Sequence, residues 1–245
     1  MALKLYLDRM SQPSRAILTF CKVNGIEFEE VKIELAKLQN YSPEYAEVNP
    51  MKQVPAIVHG EFKLFESHAI LIYLASAFSG VADHWYPADI QKRAKIHSVL
   101  DWHHSNLRRG SATYIFNTNI ALALGQPLNL EAAAEGEKIL IASLAKIESF
   151  WLQDDKPFLL GNSQPSIADL SMACEVMQLE VADTKDRDRI LGPRKRILKW
   201  VDDTKNATAP YFEEIHSIIY PTKEKLQKLK SMAAKKEPQS IGEPA

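Results

Sequence analysis

Three short segments carry residue types that could do chemistry together. Ser11 stands just after a strand-like run and just before a helix opened by Pro13, in the spacing Ser11-Gln12-Pro13-Ser14. A side chain at that junction faces unpaired backbone N–H groups and the positive end of the helix dipole, which favour an anion. A hydroxyl cannot form a mixed disulfide, so redox exchange by the chain itself is excluded there. It can donate a hydrogen bond to a thiolate brought in by a ligand. A free thiol titrates near roughly 8.5, so such donors need to lower it by only about two units to ionise it at neutral pH. The alternative is that Ser11 only caps the helix.

Val54-Pro55-Ala56 is the second segment. A proline entering a strand cannot pair fully in a sheet. If the Val54–Pro55 bond is cis, the Val54 backbone N–H and C=O would face solvent, ready to pair with an extended peptide. An ordinary trans proline at a strand start is the alternative. Glu66-Ser67 is the third segment. Ser67, as a helix cap, could bind a carboxylate while Glu66 pairs with an ammonium, gripping an amino-acid head; singly they read as a cap and a surface charge. Ser166 and Asp169 are of another kind, since a serine followed three residues later by an acid exchanges two hydrogen bonds with a helix start. That pair is structural. His103-His104 has no third ligand nearby, so no metal is expected. Cys21 and Cys174 lie on apolar helix faces and are expected to be inert.

The elements that must hold these residues change character at about residue 77. Leu3, Leu5 and Leu7 alternate with polar positions and read as a strand, and Ala16, Ile17, Phe20 and Val23 follow at helical spacing up to Asn24-Gly25. Phe28 to Ile33 reads as a second, parallel strand, and Pro43 to Val48 as a short helix. Val54 to Val58 and Phe62 to Phe65 flank a hairpin turn, and Glu66-Ser67 opens another helix. The order implies a mixed four-stranded sheet with helices on both sides, an α/β unit over residues 1–77. Residues 78–89 read as a linker. Beyond it the periodicity is all helical over 90–230: Ile90 to Leu107, Leu130 to Trp151, Ile167 to Glu180, Arg194 to Thr204 and Tyr211 to Lys230. Prolines stand in the gaps. Residues 231–245, rich in lysine, proline and small residues, are expected to be disordered.

Bulk properties narrow the classes. Lys plus Arg (30) nearly cancel Asp plus Glu (31), so nucleic acid and anionic membranes are not expected partners. The apolar fraction of 46% supplies a core to each half. Two distant cysteines fit a reducing compartment. The opening MALKLYLDRM reads as a strand rather than a leader, and no apolar run approaches a membrane span. A cytoplasmic location is expected.

A thiol site, a peptide-pairing edge and an amino-acid clamp in one small domain together describe glutathione as the ligand. The motifs SQPSRA from Ser11, NPMKQVPAIV from Asn49, LFESHAILIYL from Leu64 and PSIADL from Pro165 resemble the cytosolic glutathione transferases, in order and across almost the whole chain. The serine and the DHWYP stretch from Asp83 look like the theta class, of plant type. The resemblance implies a thioredoxin-like first domain, with Ser11-x-x-Ser14 at the place of a Cys-x-x-Cys pair, and an all-helical second domain lining the electrophile site. It implies Ser11 as the thiol activator, and Ser11, Gln12, Asn40, Tyr41, Gln53, Val54, Glu66 and Ser67 as glutathione-binding residues, with Pro55 cis. Asn40 and Gln53 depart from the histidine and lysine frequent in animal members, which should weaken the grip on the glycine carboxylate; Lys52 is a nearby cation that could compensate.

Arg108 resembles an arginine near the active site in theta relatives, though beside Arg109 it also reads as a solvated charge. Trp102, His103, Tyr114, Phe116 and Ile120 are candidate walls for the second substrate, or core. The resemblance implies conjugation of glutathione to hydrophobic electrophiles and reduction of organic hydroperoxides. Glutathione would be a co-substrate with no resident cofactor, and the protein a homodimer. A non-catalytic interaction or carrier module of the same fold is the competing reading. A thiol transferase or dehydroascorbate reductase would need cysteine at position 11.

Overall fold

The computed structural model describes residues 2–152 and 155–236. Strand β1 (Leu3–Leu7) buries its three leucines and leaves Lys4 and Tyr6 half-buried, as their alternation requires. Helix α1 (Gln12–Val23) crosses over to β2 (Glu29–Lys32), which pairs parallel to β1 with Lys4 opposite Glu29. A short helix, α2 (Pro43–Ala46), precedes β3 (Ala56–His59), and a tight turn with Gly60 at φ 65° leads into β4 (Phe62–Phe65). The sheet order is β2-β1-β3-β4, with β3 antiparallel to both neighbours. Helix α3 (Ser67–Ala77) follows.

The register decides where the three chemical segments lie. Tyr6 is opposite Ala56, and Ala56 is opposite Phe65. The chain therefore leaves β1 toward Ser11, enters β3 from Val54-Pro55, and leaves β4 into Glu66-Ser67 at one end of three adjacent strands. Neighbouring strands are about 4.8 Å apart, so the row spans about 10 Å, the length of an extended tripeptide.

Residues 78–89 are not a free tether. Asp83–Trp85 form a single 3₁₀ turn, Trp85 is buried edge-on against Phe20 with ring centroids 5.5 Å apart, and His84 Nδ1 lies 2.6 Å from the Pro165 carbonyl oxygen. Helix α4 (Ile90–His103) does not stop at Leu107, as its periodicity suggests. It runs on through a wide i→i+5 turn at His104–Arg108 into α5 (Arg109–Ile115), then through another at Phe116–Ile120 into α6 (Ala121–Ala123). Each wide turn shifts the apolar stripe, which hides the continuity from a fixed 3.6-residue period.

Helices α7 (Leu130–Lys146), α8 (Ile167–Met177), α9 (Thr184–Leu191), α10 (Lys195–Ala207), α11 (Tyr211–His216) and α12 (Ile219–Lys236) complete the domain. The charged helix α9 is absent from the sequence reading, and the expected helix at 211–230 is two helices. The last one continues to Lys236, so residues 231–236 are helical rather than disordered; residues 237–245 lie outside those described.

Two glycines let α5 and α7 touch backbone to backbone. A Cβ at Gly110 would sit 2.5 Å from the Leu140 nitrogen, and one at Gly136 would sit 2.7 Å from the Tyr114 nitrogen. Alanine in a helix is ordinarily better than glycine by about 1 kcal/mol. Here Gly110→Ala and Gly136→Ala should each lower stability by about 1–3 kcal/mol, because the clash is with backbone that cannot rotate away. Thermal unfolding reads the sign, and a raised midpoint would refute the close approach.

The Ser166–Asp169 capping box is present at the start of α8. Asp169 also reaches beyond it. Its Oδ1 accepts from the Leu159 N–H (2.8 Å) and Trp200 Nε1 (2.9 Å), and its Oδ2 from the Ser166 N–H (2.8 Å) and Oγ (2.9 Å).

Candidate active site

Ser11 is the N-cap of α1, with φ −77° and ψ 123°, yet its side chain makes no capping bond. The reading of Ser11 as a cap and no more therefore lacks its hydrogen bond. Ser14, three residues on, is wholly buried, while Ser11 keeps 8% exposure, so only the first hydroxyl of the pair can meet a ligand. The turn before it is tightly held. Asp8 accepts from the Ser11 N–H through its carbonyl (2.9 Å), and from the Met10 and Leu35 N–H groups through its carboxylate (2.8 and 3.0 Å). The buried Arg15 donates from Nη1 to the Arg9 and Met10 carbonyls at 2.9 and 3.0 Å. Burial pushes the Arg15 guanidinium down to about 10, which still leaves it charged at neutral pH.

The Val54–Pro55 peptide is cis, β3 begins only at Ala56, and the Val54 backbone N–H and C=O have no partner among the described residues. The preceding Gln53 carbonyl is fixed by Tyr45 Oη (2.5 Å) and Asn49 Nδ2 (2.7 Å), leaving the Gln53 side chain exposed. Asn40 is buried, donates to the Lys52 carbonyl at 2.8 Å, and keeps an Oδ1 without a partner. The Lys52 ammonium stands 5.8 Å from the centre of the exposed Tyr41 ring, so a cation does sit beside the neutral amides.

One expectation is corrected at Glu66-Ser67. The N-cap of α3 is Glu66, at φ 70° and with no side-chain capping bond, and Ser67 is the first helical residue. Glu66 cannot be helical at that φ, which moves the boundary one residue back. Leu38, Lys52 and Glu66, each at positive φ, directly precede the segments at 39–41, 53–54 and 67. Positive φ is costly for a non-glycine residue, and three of the four described here, all but Leu160, stand next to these segments.

The second domain contributes through a buried polar network. Arg108, at the end of a wide turn, is half-buried and engaged rather than a free surface charge: its Nη1 donates to Gln12 Oε1 (2.8 Å) and Glu175 Oε2 (3.0 Å). Gln12 Nε2 donates back to Glu175 Oε1 (3.1 Å), and Ser111 Oγ donates there at 2.6 Å. Both ends of the Gln12 amide are thus engaged across the domain interface, where the resemblance implies a glutathione contact. Burial would raise the Glu175 carboxyl, but Arg108, with help from His103 and Ser111, outweighs it and holds it down to about 2. Arg15 Nη2 donates to Gln178 Oε1 at 2.6 Å.

His68 Nε2 lies 3.1 Å from His103 Nδ1 and 3.0 Å from Ser171 Oγ, and His103 Nε2 lies 3.6 Å from Glu175 Oε2, too far for a hydrogen bond. Burial first, then the neighbouring His103 and His104, pushes the His68 pKa down to about 2; burial also lowers His104 and His216. An unfolded histidine titrates near roughly 6.5, so between these values the unfolded chain binds more protons and stability falls as pH falls. His68 alone should account for about 1 kcal/mol between about pH 7 and 5.5. Chemical unfolding across that window should show the loss, and His68→Asn should flatten it; an equal slope in the variant would refute the assignment.

Among the other candidates, Trp102 packs edge-on against Trp151 at 4.6 Å, and the buried Tyr114 has its phenol pushed up to about 12 by burial. Tyr114 belongs to the helical core, and the half-buried Trp102 packs against that core. His103 is buried in the network, and Phe116 and Ile120 are half-buried along their wide turn. Both cysteines are buried; burial pushes the Cys174 thiol up to about 12 and Cys21 higher still. Arg15, His68, Ser111, Glu175 and Gln178 escaped the sequence reading. The signal was present: a lone acid in Met172-Ala173-Cys174-Glu175-Val176-Met177, and an arginine on the apolar run of α1.

No helix among the described residues is long and apolar enough to cross a membrane. Residues 1–76 match the family described as Glutathione S-transferase, N-terminal domain. The chain is 60% identical over 238 residues to Glutathione S-transferase T1 of Arabidopsis thaliana, covering 97% of each. It is 38% identical over 228 residues to Glutathione S-transferase theta-1 of Bos taurus, covering 91% of each. A human theta-class glutathione transferase, solved with the glutathione conjugate of 1-menaphthyl sulfate, superposes with a TM-score of 0.85 at 33% identity, covering 94% of this chain and 92% of that one. A thioredoxin-like sheet domain followed by a helical domain, joined to these likenesses across both, places the chain in the theta class of the glutathione S-transferases.

Proposed function

We propose that Ser11 activates the thiol of glutathione for two reactions: conjugation to hydrophobic electrophiles and reduction of organic hydroperoxides. The observation that carries this reading is the Ser11 hydroxyl, held at the start of α1 without a capping partner. It is free to donate to a thiolate, with the unpaired N–H groups of the first turn beside it. Glutathione lies along the row at the strand ends. Its cysteine pairs with the Val54 backbone, its γ-glutamyl head meets Glu66 and the start of α3, and its glycine carboxylate meets Asn40, Tyr41, Gln53 and the Lys52 ammonium. Arg108 stands over the thiol end from the helical domain.

In conjugation the thiolate forms a carbon–sulfur bond and a leaving group departs or a double bond is saturated. In peroxide reduction the thiolate sulfur attacks the outer peroxide oxygen. The O–O bond breaks, and the alkoxide takes a proton and leaves as alcohol. The resulting glutathione sulfenic acid is attacked by a second glutathione thiolate, forming the disulfide S–S bond as the S–O bond breaks. The departing hydroxide takes up the proton that the second thiol released, giving water. The protein supplies pKa depression and position rather than a covalent intermediate. We place the protein in the cytosol as a homodimer with glutathione as co-substrate and no resident cofactor.

Glutathione-dependent reduction of cumene hydroperoxide by the native chain and by Ser11→Ala tests the reading. Activity that collapses in the variant while glutathione still binds supports both the serine and the peroxidase parts. Binding without peroxide turnover, but with conjugation, would remove the peroxidase part. Absence of glutathione binding would overturn the whole reading.

A further inference from the structure

We propose that Glu175 is a positioning residue for Ser11, acting across the domain interface through Gln12 and Arg108. The proposal rests on the serine-activated reading above and deepens it. Glu175 lies in α8, all of whose residues are buried. A carboxylate in such a place is costly unless its partners are well made. Its Oε1 accepts from Gln12 Nε2 and Ser111 Oγ, and its Oε2 from Arg108 Nη1. Arg108 Nη1 also donates to Gln12 Oε1, which closes a triangle of Gln12, Arg108 and Glu175.

That triangle fixes one orientation of the Gln12 amide. Turned over, Gln12 would set its NH₂ against the guanidinium and its oxygen against the carboxylate, so both contacts would become repulsive. Gln12 is the residue after Ser11 and the first of α1. On the other side of Ser11, the carbonyls of Arg9 and Met10 are held by Arg15, which is itself held by Gln178, three residues beyond Glu175. The flanks of Ser11 are therefore anchored on both sides by buried side chains tied to one stretch of the helical domain. A staple that merely joined two domains would have no reason to select those flanks.

The charged and titratable groups facing Glu175 are Arg108, His103 and His104 from the long helix, Arg15 from α1 and His68 from α3, with Cys174 beside it in α8. Arg108 gives two opposite expectations, which the test separates. If Glu175 only cancelled the Arg108 charge, its neutralisation would expose that charge and lower the pKa of the bound thiol. If it holds position, the thiol loses its donor and its pKa rises.

Glu175→Gln keeps the volume and removes the charge. It should lower kcat by about 10- to 100-fold, with KM for glutathione changed by less than about threefold. The pKa of bound glutathione, followed by thiolate ultraviolet absorbance against pH, should rise toward the free value. Glu175→Asp should recover part of the loss, and Glu175→Gln with Gln12→Ala should cost less than the sum of the two. Should Glu175→Gln fail to fold, Gln12→Ala and Glu175→Asp must each raise the thiol pKa. An unchanged or lowered thiol pKa, or strictly additive losses, would overturn the proposal. A native chain unable to depress the thiol pKa would instead bring down the reading on which it rests, and Ser11→Ala distinguishes the two failures.

Discussion

Ser11→Ala should retain glutathione and lose about 10²- to 10³-fold in kcat, the usual cost of removing one well-aimed donor from a developing or stored anion. Part of that loss is ionisation. A thiol returned to roughly 8.5 is only about 3% thiolate at pH 7, whereas one lowered by about two units is mostly ionised. The rest is position, since the hydroxyl fixes the sulfur at the helix start. Binding should survive because the Val54 edge, the Glu66-Ser67 turn and the Asn40, Lys52 and Gln53 corner are untouched. The pH–rate profile is the sharpest readout, and its acidic limb should move up by about two units. A variant with full activity would assign thiol activation to the backbone N–H groups alone. Loss of glutathione binding would mean that Ser11 supports the site rather than the chemistry.

Asp169→Ala should be the most damaging single change to stability. Four donors converge on that buried carboxylate: the Leu159 and Ser166 N–H groups, Ser166 Oγ and Trp200 Nε1. A buried donor left without a partner costs about 1–3 kcal/mol, so even with relaxation at Ser166 the loss should exceed about 4 kcal/mol. That is a large share of the roughly 5–15 kcal/mol available to a folded protein. Asp169→Asn should fall between, because its NH₂ must face one of the two donor pairs. Urea unfolding would measure both, and an Asp169→Ala loss under about 1 kcal/mol would refute the account. Acid should not mimic the mutation. Burial raises the Asp169 carboxyl despite its donors, so the native state takes up that proton before the unfolded chain does and is not weakened by it. Acid sensitivity should come from groups of opposite sign: His68 and His216 below about pH 6.5, then Glu175 between its unfolded value and about 2.

The parts of this molecule that were legible in the sequence are those fixed by local rules. Alternating leucines in β1, Pro13 early in α1, the Gly60 hairpin and the Ser166–Asp169 box each act over a few residues, and each stands where its spacing puts it. Ser11, Val54 and Glu66 were legible as candidates because each sits at an element boundary, where backbone groups lack partners. What was not legible depends on distant pairing. Glu175 and Arg15 look like errors in apolar helices until Gln12, Arg108 and Gln178 are seen around them, and those partners are far away in sequence. The continuity from Ile90 to Ala123 was hidden for a different reason, the wide turns that break the helical period. Ser67 was misplaced by one residue because a glutamate at positive φ is not an expected boundary.

Arg15 gives a reason to doubt the division of this chain at residue 77 as a division into exchangeable parts. A wholly buried guanidinium in α1 finds one of its partners in Gln178, so α1 belongs by chain order to the first domain and by solvation to both. Recombining this first domain with the helical half of a relative would strand a buried cation unless positions 175 and 178 travelled with it, along with 108 and 111. Inheritance in this protein should therefore follow the interface rather than the linker, and chimaeras are best cut to keep α1, the start of α5 and the stretch from α8 through Gln178 from a single parent.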